Sequence, residues 1–315
     1  MTHYVGLDVS MKHSAVCVLD AKGEIVKEGK VLTCAQSIHD FLEELEVDTI
    51  ALETGSMSRA LCKELMALQY SVRCIDAREA NSYLKLKKQK NDRNDARGLA
   101  EILRVNLLDG VHLKSDDSVE IKTVLQSRRL LIEQRTTTKN SIRGILKHHG
   151  VTLKEMATSP KYFAETVRQV IQKISTSSKE SLEALLKTVE HFDKTIVSID
   201  TTIKGLEKKH NEVISIFKTA PGVGPIVALA FMSEIDDHAR FSSGRSVGAY
   251  LGLIPTLYES GETSVKGHIS KQGPSYLRSL LHESGLVILT RTTSWSRLKS
   301  WGIRLQKKKG VKKAA

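Results

Sequence analysis

The first 80 residues alternate short β-like runs with helical ones. "YVGLDVS" (4–10), "SAVCVLD" (14–20) and "EIVKEGKVL" (24–32) read as three strands, with a "DAKGE" turn between the last two. In "SIHDFLEELE" (37–46) the apolar positions Ile38, Phe41, Leu42 and Leu45 instead follow a helical period. A buried strand "TIALETG" (49–55), a helix "MSRALCKELMALQ" (57–69) and a strand "YSVRCIDA" (70–77) complete the segment. Three antiparallel strands followed by helix-linked parallel ones is the ribonuclease-H order. It predicts a mixed α/β sheet and not a doubly wound one.

The middle of the chain changes period. Leu182, Leu185, Val189, Phe192, Ile196, Ile199, Ile203, Leu206, His210 and Val213 are spaced alternately three and four apart. That is a heptad seam, which predicts a coiled coil about 48 Å long. Residues 120–148 form a second long helical segment, rich in Arg and Lys, that would pair with it in the same chain or another. A short helix is expected near "YFAETVRQVIQKI". The last hundred residues read as short helices with glycine-rich joints, among them "PGVGPIVALAFMSEI" (221–235), "SGRSVGAYLGL" (243–253), "SYLRSLLHESGLVILT" and a basic helix from about Trp295. Residues 257–273 read as a loop between two of them.

Charge sharpens this picture. The net charge is +12, and residues 264–315 carry twelve Lys/Arg against one acid, Glu283. Residues 1–60 are the reverse, with five cations and ten acids. A polyanionic partner is expected at the basic end. The longest apolar runs, such as "IVALAFM", are too short to cross a bilayer. The N-terminus carries Asp8 and no long apolar stretch, so no signal peptide is expected. Four cysteines, Cys17, Cys34, Cys62 and Cys74, form no C-x-x-C pair. They are expected as buried reduced thiols in a cytoplasmic protein.

Four carboxylates carry the first candidate chemistry. Asp8 ends one strand and Glu53 another. Asp92 and Asp95 sit three apart in "KNDRNDARGLAEILR" and so share a helical face. In the ribonuclease-H layout these four converge. Oxygen clusters of this kind bind Mg²⁺ and assist phosphodiester displacement. Lys88, Lys90 and Arg93 surround the two aspartates and are candidates for holding nucleic-acid phosphates. Read one by one, the acids are equally ordinary surface or capping residues, and the cations a solvated helix face.

Two further motifs are less determinate. The turn in "APGVGPIVA" resembles a helix-hairpin-helix element, in which Gly222 and Gly224 would let backbone N–H groups approach a phosphate. A turn without a ligand accounts for it as well. In "LYESGETSVKGHISKQG" the candidate nucleophiles are Ser260, Ser264, Ser270 and Tyr258. Lys266, His268 and Lys271 follow, with Arg278 just beyond, as candidates for holding nucleic-acid phosphate. A hydroxyl needs an activating partner, and the residues alone do not choose among these.

Together, "GLDVS…ALETG…KNDRNDA", the helical segment and "PGVGPIVA…YLGLIPTLYESGETSVKGHISKQG" resemble the DEDD-type insertion-sequence transposases. These are the IS one-ten family with its IS eleven-eleven branch, related to the pilin-gene invertase. The resemblance implies a RuvC-like domain whose Asp8, Glu53, Asp92 and Asp95 hold Mg²⁺. It implies a transposase domain whose Ser260 attacks a DNA phosphate and forms a phosphoserine link. It also implies dimers assembling into tetramers, a structured non-coding guide RNA, and work on double-stranded DNA in the bacterial nucleoid. The domains expected are 1–115 (RuvC-like), 116–213 (helical coiled coil) and 214–315 (C-terminal transposase domain). Two alternatives remain open: a RuvC-like junction endonuclease using metal-bound water, and a non-catalytic nucleic-acid scaffold.

Overall fold

In the computed structural model, residues 2–85, 91–153, 160–172, 174–261 and 263–315 are described. They form two compact units, Met1–Lys114 and Ser115–Ala315.

Unit one is built on β1 (His3–Val9), β2 (His13–Leu19), β3 (Ile25–Leu32), β4 (Val47–Glu53) and β5 (Val72–Ile75). Helices α1 (Ala35–Leu42) and α2 (Ser58–Ala67) punctuate the strands, and α3 (Ala77–Leu84) and α4 (Asp92–Arg104) follow them. The sheet order is β3-β2-β1-β4-β5. β1 pairs antiparallel with β2 and parallel with β4, and β4 pairs parallel with β5. This five-stranded mixed sheet is compatible with a ribonuclease-H-like domain.

Side-chain alternation sorts the strands into two cores. Val5, Leu7, Ile50 and Leu52 face Ile38, Leu42, Leu61 and Leu65 of α1 and α2. Ala51 and Ile75, with Tyr4 against them, face Leu99, Ile102 and Leu103 of α4. Gly6 lets α4 lie directly on β1: a Cβ there would stand 2.0 Å from Ala96 O and 2.4 Å from Ala100 N. Three cysteines are buried in these cores as free thiols. Cys34 departs from the expectation of burial. It is exposed at the N-cap of α1, where the chain leaves β3 for the surface.

Unit two contains two long helices, α5 (Asp116–His148) and α7 (Thr176–Lys209), with α6 (Pro160–Ile171) between them in sequence. They pack antiparallel within the chain. Asp117 meets Lys209, Arg128 meets Asp200 at 2.6 Å, and Arg135 meets Asp193 at 2.8 Å. Along the predicted seam Leu182, Val189, Ile196, Ile203 and Leu206 are buried. The seam does not reach Val213 in one helix. His210 leaves helical geometry at φ −110°, ψ 26°, and a new helix, α8 (Asn211–Lys218), buries Ile214 instead while Val213 is exposed.

The remainder is α9 (Pro225–Ile235), a 3-10 turn at His238–Arg240, α10 (Gly244–Tyr250), β6 (Pro255–Ser260), β7 (Thr263–Ile269), α11 (Ser275–Thr290), α12 (Arg297–Lys309) and α13 (Val311–Ala314). Ile121, Leu125, Ile203 and Leu206 share one core with Ala228, Leu229, Leu251 and Leu277. The boundary expected at 213/214 thus falls inside this unit. The expected loop at 257–273 is largely a β-hairpin. Its alternating "TSVKGHI" pairs along β6, from Ser260↔Thr263 to Pro255↔Ile269. Among the described residues no helix is long and apolar enough to cross a membrane.

Candidate active site

β1 and β4 run parallel in a register that pairs Leu7 with Leu52. The next residues, Asp8 and Glu53, therefore stand side by side at the same end of the sheet. Asp8 alternates onto the face of Gly6, and Glu53 onto the face of Ala51, which is the α4 side of the sheet. Both are half-buried and line a cavity of about 380 Å³. Side-chain-to-backbone hydrogen bonds brace its wall. Ser58 Oγ accepts from Gly55 N at 3.0 Å and donates to Gly55 O at 2.8 Å. Thr54 Oγ1 accepts from Ala77 N at 3.0 Å.

Asp92 and Asp95 both lie in the first turn of α4, capped by Asn91, whose side chain accepts from Asn94 N at 2.8 Å. The helix N-terminus favours their negative charge. Asp95 is half-buried and sits one turn before Leu99, which packs on the sheet. Asp92 is exposed and lies 3.9 Å from Lys30 Nζ. The expected four-fold convergence is thus seen in part: Asp8 and Glu53 share a cavity. Among the described residues no group of three or more His, Cys, Asp or Glu is close enough to hold a metal.

Ser260 is the last residue of β6, before Gly261 at φ +56°. All of β7 and most of β6 are exposed. Alternation puts Ser260, Tyr258, Thr263 and Val265 on one face, and Glu259, Ser264 and Lys266 on the other. Ser264 Oγ donates to Glu259 Oε1 at 3.0 Å, so Glu259 is engaged away from Ser260. The base of the hairpin is clamped. Gly252 is at φ +69°, and a Cβ there would stand 1.9 Å from Gln272 O. Lys271 N donates to Gly252 O at 3.1 Å, and Ser270 N to Ile254 O at 2.8 Å.

The chain matches two family profiles. Residues 5–150 match a DEDD-type profile described as "Transposase", and residues 214–300 match "Transposase IS116/IS110/IS902 family". The chain belongs to the IS116/IS110/IS902 family of transposases. It is similar to the transposase for insertion sequence element IS1111A of Coxiella burnetii, at 26% identity over 98% of this chain and 84% of that protein. It is similar to a probable family 20 transposase of Pseudomonas aeruginosa, at 27% identity over 88% and 81%. A third relative is the transposase for insertion sequence element IS1328 of Yersinia enterocolitica, at 24% identity over 80% and 74%. The chain is therefore a DNA transposase, an enzyme whose substrate is DNA.

Two cations read as phosphate contacts have other partners in this transposase. Arg93 Nε donates to Glu28 Oε2 at 2.6 Å, and its Nη2 pairs with Oε1 of the same carboxylate. Arg278 Nη1 donates to Leu251 O at 3.1 Å and Gln272 O at 3.2 Å, tying α11 to the hairpin base. Gly222, at φ +81°, packs on α11, where a Cβ would stand 2.6 Å from Ser284 O. Gly224 is open and caps α9 in extended geometry. Lys266 and Lys271 are exposed, with Lys266 on the face opposite Ser260. Lys88 and Lys90 lie outside the described residues. Sequence reasoning passed over Ser10 and Ser56, which line the cavity with Asp8 and Glu53. The available signal was their place, two and three residues past those strand-end acids.

Proposed function

We propose that this transposase cuts and rejoins DNA with Ser260 as nucleophile. The observation that carries the reading is the setting of Ser260. It ends an exposed strand beside a left-handed glycine, on a hairpin clamped at its base, and among the described residues no partner holds its hydroxyl. Its Oγ forms a bond to a DNA phosphorus while one bridging P–O bond breaks. The serine proton is lost, and the departing sugar oxygen takes up a proton. In the reverse direction a deoxyribose hydroxyl attacks the phosphoserine, restoring both the phosphodiester and the serine. The bond energy is kept in the covalent link, so rejoining needs no nucleotide cofactor.

Asp8 and Glu53, with Asp95 and Asp92 from α4, are the residues that would hold Mg²⁺. The fit rests on hard carboxylate oxygens and on a cavity that two of them already share. When bound, such an ion polarises a phosphate and stabilises the charge that develops on its oxygens. The reading also includes a structured RNA that selects the DNA, homodimers assembling into tetramers through the long helices, a heptad-packed coiled coil, and a cytoplasmic, nucleoid-associated location. The basic charge and the long α5 and α7 support these parts.

The test combines the full chain, Mg²⁺, the element's non-coding RNA and DNA bearing element ends. A denaturant-resistant protein–DNA adduct is expected. Ser260→Ala abolishes it and Asp95→Asn cripples it. An adduct that survives Ser260→Ala overturns the nucleophile. Cleavage with no adduct favours hydrolysis by metal-bound water, as in a junction endonuclease. Binding without cleavage favours a scaffold.

A further inference from the structure

The basic helix α12, near the C-terminus, carries a surface that the active-site reading does not use. Arg297, Trp301, Arg304 and Lys308 are spaced four, three and four apart and are all exposed. That spacing gathers them into one stripe about 16 Å long. The adjoining side of the helix is the packed one: a Cβ on Gly302 would stand 2.8 Å from Leu289 Cδ2 of α11. Residues 297–315 hold eight Lys/Arg and no Asp or Glu. Among the described residues none of the three cations of the stripe is in an ion pair.

An all-cation helix is by itself only a solvated face. The aromatic residue in its midst changes this. Trp301 is 53% exposed, and with Leu298 it borders an apolar cleft of about 250 Å³ against Ile288 and Leu289. Its ring is thus seated on one side and open to solvent on the other. An exposed indole between two guanidinium groups, four residues below and three above, fits a nucleotide whose base stacks on the ring while the flanking phosphates meet the cations. Paired bases in a duplex hide their flat faces, so the stripe fits unpaired nucleotides. The substrate of this chain is DNA, which loses pairing wherever a strand is displaced.

We infer that α12 is a docking surface for an unpaired DNA strand, with Trp301 as the stacking platform and Arg297, Arg304 and Lys308 as phosphate contacts. The inference rests on the DNA-transposase assignment and is independent of Ser260 as nucleophile.

The chain has two tryptophans, Trp295 and Trp301, so Trp295→Phe leaves Trp301 as the sole indole fluorophore. In that full-length background, an oligothymidylate strand is expected to quench the fluorescence on binding. A duplex of equal length is expected to quench it weakly. Trp301→Ala should weaken binding of the strand about tenfold, and Trp301→Phe no more than about threefold. The double change Arg297→Gln and Arg304→Gln should lower the slope of log affinity against log salt by about 1.4. Circular dichroism and melting temperature confirm that each variant is folded, and the aromatic replacement at Trp301 keeps the test decisive if the alanine variant is not. Strand binding without quenching overturns the inference. So does an unchanged affinity in folded Trp301→Ala, or tighter binding of duplex or of the matching RNA strand. These measurements read binding alone, so a failed adduct experiment leaves them standing and their failure leaves the nucleophile standing.

Discussion

The two candidate reactive regions are built in opposite ways. Asp8 and Glu53 sit at the ends of adjacent parallel strands, one residue beyond Leu7 and Leu52, which are wholly buried. Their positions follow from a core that cannot shift without losing packing. Ser260 stands at the tip of a two-stranded hairpin with nearly every residue exposed. Among the described residues the hairpin is held at its base, by Gly252 against Gln272 and by Arg278 on two carbonyls. An isolated hairpin is marginal in water. The acids are therefore set by folding, while the serine is presented on an element that its own core does not fix.

The largest predicted effect probes the presented side. Ser260→Ala should reduce strand transfer on the order of 10³-fold or more. Its melting temperature should be unchanged, since surface changes rarely exceed about 0.5 kcal/mol. Ser264→Ala, on the opposite face, should keep nearly full activity. A melting temperature that drops with Ser260→Ala would show that the tip is part of a core after all.

Next comes the acid end. Glu53→Gln should lower DNA cleavage by about 10²-fold or more, the scale of removing one charged group that acts on a developing charge. Cleavage assays across Mg²⁺ concentrations check it. Full activity in the variant would remove Glu53 from the site.

Paired glycine substitutions then compare the two supports directly. Gly6→Ala drives a methyl into Ala96 O and should destabilise unit one by about 2–3 kcal/mol. Gly261→Ala meets nothing within 4 Å and strains only its φ of +56°, a local cost of about 1–2 kcal/mol. Urea unfolding measures the first, and amide exchange at the hairpin the second. Equal global losses would erase the contrast.

The smallest effect lies in the helices of unit two. Arg168 of α6 donates to Glu190 Oε1 at 2.7 Å and to Glu183 Oε1 at 2.8 Å. The hydrogen bonds from Arg168 hold the Glu190 carboxyl below its ordinary value of 4.5. A carboxyl held low in the folded state adds stability above its unfolded pKa and loses it as pH falls through the folded one. The pair is partly exposed, so about 0.5 kcal/mol is expected. Arg168→Gln should flatten the acid limb of stability across the carboxylate range, about pH 5 to 3. An identical acid limb in the variant would sink this account.

Strand-level structure in unit one was legible because its buried strands are short apolar runs bounded by polar turn residues. "GLDVS" and "ALETG" place their acids at strand ends whatever else the chain does. The hairpin was less legible. Its alternation in "TSVKGHI" is real, but three glycines and a largely polar composition mask it as a loop. The long helix α7 was legible in its spacing, and that spacing was misleading at its end. His210 and Val213 keep the spacing, yet Ile214 is the residue the core takes up. Cys34 reads like its fellow thiols and is exposed only because β3 ends just before it.

What the sequence alone determined is therefore local and periodic. It set which residues form strands and helices, which acids end strands, where positive charge accumulates, and the motifs that mark a transposase. Tertiary structure decided the rest. It put Asp8 and Glu53 in one cavity, turned Asp92 toward Lys30, and directed Glu259 and Lys266 away from Ser260. It engaged Arg93 and Arg278 with internal partners and left Arg297, Trp301, Arg304 and Lys308 open. The physical reason is that periodicity fixes the face of an element on which a residue lies. What that face meets depends on partners distant in the chain, and local spacing carries no record of them.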